Sequence, residues 1–267
     1  MLEEPVFVLR NVTKRFGDAS ALTDVTLTIE PREQVALIGP SGAGKSTLLG
    51  LLGGALHPTE GEVLVLGQDL ARLQRGPRRQ IQRQIGTIYQ QLHLINNLRV
   101  IHNINAGHLG RWSFLKALIS LAWPLDVSVA ERALERVGIA DKIYEVTGHL
   151  SVGQQQRVAL ARVLVQDPTA ILADEPIASL DPERAREIMD LLRDLCRTIG
   201  KTLVTSIHSV DFARSHFHRV IGLREGRILF DCPAGDVTPQ EVEALYRIER
   251  PGDGARTEDG IHERRSA

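Results

Sequence analysis

Cysteine is scarce in this chain, aromatic residues are few, and neither sign of charge dominates. Two cysteines among 267 residues, Cys196 and Cys232, argue against a disulfide framework and fit reduced thiols in a cytosol. Phe, Trp and Tyr together make up 4% of the residues and the formal net charge is −1, so the molecule as a whole is not built to bind a polyanion such as a nucleic acid. No uninterrupted apolar run reaches the roughly 18 residues that a bilayer crossing needs. The nearest stretch, WSFLKALISLAWP (112–124), is short and carries Lys116, so a role at a membrane would run through a partner. The opening MLEEPVFVLR lacks a basic segment followed by an apolar one, which predicts no secretion signal. What is present is a hydrophobic content of 43%, enough for one large domain or two intimately joined ones.

The most specific pattern is GPSGAGKST (39–47), a match to G-x-x-x-x-G-K-[ST] set between an apolar strand, VALI (35–38), and a helix start, STLLGLLGG (46–54). In that setting Gly39, Pro40, Ser41, Gly42, Ala43 and Gly44 form a loop whose backbone N–H groups, absent only at Pro40, close around phosphates. Lys45 reaches the β- and γ-phosphoryl oxygens, the Ser46 hydroxyl ligates Mg²⁺, and Thr47 continues the loop into the helix. The pattern predicts ATP and Mg²⁺ as ligands.

Around it, VFVLRNV (6–12) and ALTDVTLTI (21–29) alternate as an antiparallel pair with a turn near Gly17 and Asp18, and EVLVLGQDL (62–70) reads as a further strand element turning at Gly67. Residues from about 72 to 165 change character, with helical periodicity and arginine-rich faces, and predict an inserted helical subdomain. Strands return in AILADE (170–175), KTLVTSIH (201–208) and the hairpin at 219–231, with a helix from Pro182 between the first two. The fold class is therefore α/β: a P-loop core with a mainly parallel sheet, an N-terminal antiparallel β element and the helical insertion, spanning about 5–247. The segment 248–267 reads as a polar, glycine-rich, disordered tail.

Two clusters admit a sharp and a bland reading. Arg72, Arg75, Arg78, Arg79 and Arg83 could meet phosphates of nucleic acid or lipid; with balanced overall charge, a solvated helix face is favoured. His208, His216 and His218 lack a spaced third ligand set, which disfavours zinc. AILADE is more telling. Asp174, at a strand end, is placed to reach the metal shell beside Ser46, and Glu175, pointing the other way in the pleat, is free to polarise an attacking water.

The stretch LSVGQQQRVALARVLVQDP (150–168) makes the pattern specific. An LSGGQ-like signature, then a helix, then an acidic strand, resembles the nucleotide-binding subunits of ABC (ATP-binding cassette) transporters over nearly the whole chain. The resemblance implies that Ser151, Val152, Gly153 and Gln154, at a helix N-terminus, contact the γ-phosphate of ATP held by the other subunit of a head-to-tail homodimer. It further implies that Phe16 stacks on adenine, that Gln90 (or, second, Gln91) contacts Mg²⁺ and senses the membrane partner, that Ser179 and Asp181 form a loop across the dimer interface, and that His208 contacts the γ-phosphate. Val152 stands where the family usually has glycine; its branched side chain restricts the backbone, and with Ser151 and Gly153 in their places the change is expected to be tolerated.

LADEPIASLDPE (172–183) and the tryptophan-containing insertion at 97–124 resemble the ATPases of phosphonate and phosphite importers. That resemblance implies an integral membrane permease, a periplasmic substrate-binding protein as an indirect partner, and a peripheral position on the cytoplasmic face of the bacterial inner membrane. In the insertion, Trp112, Leu115, Ile119 and Ala122 fall near one helical face, either docking the permease or packing on the subdomain. An ATPase serving a soluble carbon–phosphorus-cleaving complex, or a transporter of other cargo, carries the same nucleotide motifs. A repair ATPase would need a long coiled coil that is absent from the sequence.

Overall fold

The computed structural model describes residues 4–178 and 180–247. The chain opens with β1 (Phe7–Phe16), β2 (Ala19–Ile29) and β3 (Gln34–Ile38), followed by α1 (Lys45–Leu52). Next come β4 (Glu60–Val65), β5 (Gln68–Asp69), α2 (Arg75–Gln82) and β6 (Ile85–Ile88). A helical run follows: α3 (Val100–Asn105), α4 (Phe114–Ala122), α5 (Val127–Arg136) and α6 (Val152–Gln166). The remainder alternates β7 (Ala170–Asp174), α7 (Pro182–Thr198), β8 (Thr202–Ser206) and α8 (Val210–His216), then closes with β9 (Arg219–Arg224), β10 (Arg227–Pro233) and α9 (Pro239–Tyr246).

Two sheets result. One is antiparallel in the order β2-β1-β4-β5; the other runs β10-β9-β3-β8-β7-β6, with β9, β3, β8, β7 and β6 all parallel. Every residue of β3 and β8 is buried, as expected of central strands in a parallel sheet covered on both faces. Leu48, Leu51 and Leu52 of α1 join Phe7, Leu9 and Ile29 of the antiparallel pair in one core, which fixes the phosphate-loop helix against both sheets. A second core joins Ile101, Ile104, Leu134 and Val158 of the helical region to Ile171 and Ala173 of β7.

Three expectations need correction. The stretch 72–165 is not helical throughout: Ile85–Ile88 forms β6, which pairs in register with β7, Ile88 opposite Ala173. Four residues beside an arginine-rich helix carry too little periodicity to show as a strand, and the sheet neighbour decides the conformation. Glu175 does not continue the pleat beyond Asp174 but turns into the left-handed region at φ 47°. Trp112 lies before α4, whose N-cap is Ser113, and instead stacks on His108 at 4.9 Å between ring centroids. The polar segment 248–267 and Ser179 lie outside the described residues.

Candidate active site

In parallel sheets the loops at the carboxyl ends of the strands are open to ligands, and here four strand ends gather the chemistry. The phosphate loop follows β3, Asp174 ends β7, Ser206 ends β8, and Gln90 lies exposed two residues beyond β6. Because β8 sits between β3 and β7, residues at its end bridge the phosphate loop and the acidic pair.

The loop's shape rests on glycines that no other residue could replace cheaply. Gly42 and Gly44 hold φ at 80° and 105°, in the left-handed region. A Cβ on Gly44 would lie 2.6 Å from the Ala21 carbonyl oxygen, so this turn is pressed against β2. At Gly39 a Cβ would collide with the Leu223 carbonyl oxygen at 2.1 Å. Gly42, by contrast, faces open space, and Ser41 beside it is exposed. The Gly226 N–H donates to the Ala43 oxygen at 3.1 Å and pins the loop to the β9–β10 hairpin. Pro40 lends its carbonyl oxygen to the Ala43 N–H, at 3.2 Å.

Lys45 is buried at the start of α1, its Nζ donating to the Gly39 oxygen at 2.7 Å and the Pro40 oxygen at 3.1 Å. Burial pushes its ammonium below the ordinary value, against the pull of the Glu175 and Asp174 carboxylates. Two carbonyl dipoles are a thin substitute for an anion, so the cation is poised for a phosphate. Ser46 is exposed in the next position and Thr47 is half-buried behind it.

The acidic pair is organised by a residue that sequence reading missed. Ser206 Oγ donates to Asp174 Oδ1 at 2.7 Å and accepts from the Glu175 N–H at 2.8 Å. That single hydroxyl holds the carboxylate of one residue and the backbone of the next, and it supports the left-handed turn at Glu175. The only sequence signal was a serine near the end of TLVTSIH. Glu175 Oε1 then lies 2.6 Å from His208 Nε2. The Tyr246 hydroxyl, also unforeseen, donates to the His208 carbonyl oxygen at 3.1 Å and anchors that turn to α9. Hard oxygen donors from Ser46 and Asp174 suit Mg²⁺ better than a softer metal. Among the described residues no group of three His, Cys, Asp or Glu side chains converges on a metal position.

Phe16 ends β1 with half its surface exposed, its ring 4.9 Å from Lys14 Nζ. β2 reaches the phosphate loop through Ala21 and Leu22, which abut Gly44.

The LSVGQ segment forms the N-terminus of α6. Ser151 is the N-cap: its Oγ accepts from the Gln154 N–H at 3.3 Å, while Gln154 Oε1 accepts from the Ser151 N–H at 3.0 Å. This capping box satisfies two of the free donors of the first turn. Val152 occupies the first helical position with its side chain half exposed, and Gly153 has nothing within 4 Å of where a Cβ would stand. Among the described residues no hydrogen bond or ion pair joins residues 151–154 to residues 39–47 of the same chain. Asp181 is the N-cap of α7, accepting from the Arg184 N–H at 3.1 Å, and is exposed.

Comparison with known proteins follows this geometry closely. A family model described as ABC transporter matches residues 22–178. The phosphonates import ATP-binding protein PhnC of Pseudomonas fluorescens (strain Pf0-1) is 46% identical over 230 residues, covering 86% of this chain and 87% of that protein. Its namesake in Pseudomonas putida (strain KT2440) is 43% identical, covering 91% and 90%. Among solved structures, the dimeric bacterial ABC transporter cassette MJ0796 aligns at TM-score 0.73 and 33% identity, over 85% of this chain and 98% of that one. A structure of cbiO1 from Clostridium perfringens, part of the cbiONQ transporter complex, aligns at TM-score 0.77 and 27% identity over 91% and 94%. A post-hydrolysis form of MJ0796 bound to ADP and Pi also matches, at TM-score 0.71 and 34% identity, over 85% and 98%. With its glycine-shaped phosphate loop, its acidic strand end and its serine-capped LSVGQ helix, the chain belongs to the ABC transporter family and is one of its ATP-hydrolysing cassettes.

Proposed function

We propose that the chain is the ATPase of a bacterial importer for phosphonates or related phosphorus oxyanions. It acts as a homodimer on the cytoplasmic face of the inner membrane, under a permease supplied by a periplasmic binding protein. The observation that supports the cargo is the likeness to the phosphonate import proteins over almost their full length. The chemistry rests on the assembly of Lys45, Asp174, Glu175 and His208 around the ends of β3, β7 and β8.

In this reading the Gly42–Gly44 backbone and Lys45 hold the phosphates, and Lys45 exchanges two carbonyl acceptors for phosphoryl oxygens. Phe16 covers the base. Ser46 and Asp174 hold Mg²⁺, with Gln90 completing the set; the ion neutralises phosphate charge when bound. Glu175 Oε1 takes a proton from the attacking water, and His208 Nε2, already 2.6 Å away, keeps that carboxylate aimed and meets the γ-phosphate. Ser151 and the Gly153 N–H close the site from the partner copy, with Asp181 lining the seam.

The test is ATP turnover by the permease complex in membranes, with the binding protein added with and without a phosphonate. Stimulation by the loaded binding protein is expected. Glu175→Gln should cut turnover by about 10²–10⁴ while ATP still holds the dimer. Recovery of the chain with a soluble carbon–phosphorus-cleaving complex and no permease would overturn the transport reading.

A further inference from the structure

Between Asp69 and Asp126 the sequence has no Asp or Glu, yet it carries seven arginines and Lys116, although the whole chain is balanced at −1. The fold brings this basic stretch back on itself. Arg79 of α2, Arg83 at its C-cap and Arg111, just before α4, line one cavity of about 230 Å³ that has no carboxylate in its wall. Gly110 is packed so closely that a Cβ there would lie 2.9 Å from Arg83 Cγ. Arg111 Nη2 is engaged with the Gln166 and Asp167 oxygens, at 2.7 and 3.3 Å. Arg83 Nε, however, is buried without an acceptor, and Arg79 is exposed with no acceptor among the described residues. A buried guanidinium N–H left unpaired is costly, and an anion would satisfy it.

Directly beyond Arg111, α4 is inside out. Of its described side chains, the small Ala117 and Ser120 face the protein. Its outer side carries Phe114 at 84% exposure, Leu115 at 65%, Leu118 and Ile119, and Trp123 follows at 76%. At 100° per residue these helical positions sweep roughly 140° of apolar surface turned to solvent, the reverse of a helix packed for its own core. Lys116 sits at the margin of that arc, its Nζ 3.1 Å from Asp126 and 4.8 Å from the Trp112 ring centroid.

We propose that this face lies in the interfacial region of an anionic lipid bilayer. Phe114, Leu115, Leu118, Ile119 and Trp123 enter the headgroup–acyl boundary, and the Arg79–Arg83–Arg111 cavity receives a headgroup phosphate. The charge decides between occupants. An apolar arc ended by a tryptophan, beside an arginine cavity whose wall holds no carboxylate, combines the two signals that hold a peripheral protein on anionic lipid. The proposal does not depend on which cargo is imported.

The experiment is flotation of the purified full chain with vesicles of phosphatidylcholine, with and without phosphatidylglycerol. Association with the anionic vesicles is expected, at least tenfold weaker on neutral ones and falling with salt. The pair Leu115→Ser, Leu118→Ser and the pair Arg79→Gln, Arg83→Gln should each weaken it at least tenfold, with ATP binding retained as the sign of an intact fold. In Trp112→Phe, Trp123 is the sole tryptophan, and its emission should shift to the blue on anionic vesicles alone. Indifference to both vesicle types overturns the proposal, as does association untouched by either pair. Inorganic phosphate protecting the arginine cavity while vesicles are ignored marks a free-anion site and overturns it too. So does loss of permease recovery in the variants without any vesicle binding, since a protein groove would then be the occupant.

Discussion

Gly44 and Gly153 each stand at the N-terminus of a helix proposed to face phosphate, but the space around them differs. Gly44 holds φ 105° with the Ala21 carbonyl oxygen in the way of any side chain, so Gly44→Ala should destabilise the chain by about 1–3 kcal/mol through strain alone. Gly153 has no such constraint and lies in the first turn of α6, where alanine is the better helix former. Gly153→Ala should therefore raise stability by up to about 1 kcal/mol, and still lower turnover if the partner copy's nucleotide approaches that backbone. Thermal unfolding and ATPase rate, measured together, check both halves. A stabilised Gly153→Ala protein with undiminished turnover would remove Gly153 from the site. At the same scale, burial pushes the Cys196 thiol up to about 12. Because the thiolate is the nucleophile, about one molecule in 10⁴ carries it at pH 8. Iodoacetamide should then leave Cys196 unmodified in the folded chain and alkylate it only on unfolding, as peptide masses would show.

Helix α6 ties the site together along its length. Its N-terminus is the capped LSVGQ segment. Near its middle, Gln156 Nε2 donates to the Pro176 oxygen at 3.0 Å, just past Glu175. A turn and a half further on, Arg162 donates to the oxygens of Leu92 and His93, both at 2.8 Å, in the loop that follows Gln90. One helix thus supports all three loops. Arg162 is half-buried and its guanidinium donates to the two carbonyls, so Arg162→Met should cost about 1.5–3 kcal/mol in denaturant unfolding. Arg162→Lys should recover only part of that, since one ammonium cannot reproduce the fork. How far such features could be read from sequence depends on their range. The phosphate loop and the capping box are local, with donor, acceptor and glycine within a few positions, and the sequence announces them. Ser206, bonded to Asp174 across 32 positions, and Arg162, reaching back 69 and 70, are set by sheet order and helix packing. One-dimensional spacing carries no trace of those contacts. β6 was hidden for the same reason: IGTI becomes a strand only because β7 lies beside it.

At the scale of the whole molecule, the phosphate loop and the LSVGQ segment each present groups that the described residues satisfy only through neutral acceptors or leave facing open space. Lys45 rests on two carbonyls, and the Gly153 backbone faces open space. The proposed homodimer explains this, because each reaction centre then takes its phosphate loop from one copy and its α6 N-terminus from the other. Complementation tests that arrangement directly. Lys45→Ala removes the phosphate cation, and Ser151→Arg crowds the opposing surface, so each variant alone should be inactive. In a mixed dimer, the Ser151→Arg copy supplies an intact phosphate loop and the Lys45→Ala copy an intact signature, which rebuilds one complete centre. Random pairing of equal amounts should restore roughly a quarter of the wild-type centres, and activity should rise with the square of concentration when the chains are dilute. If the mixture stays inactive while wild-type turnover per chain is independent of dilution, each copy works by itself and the two-copy site is wrong.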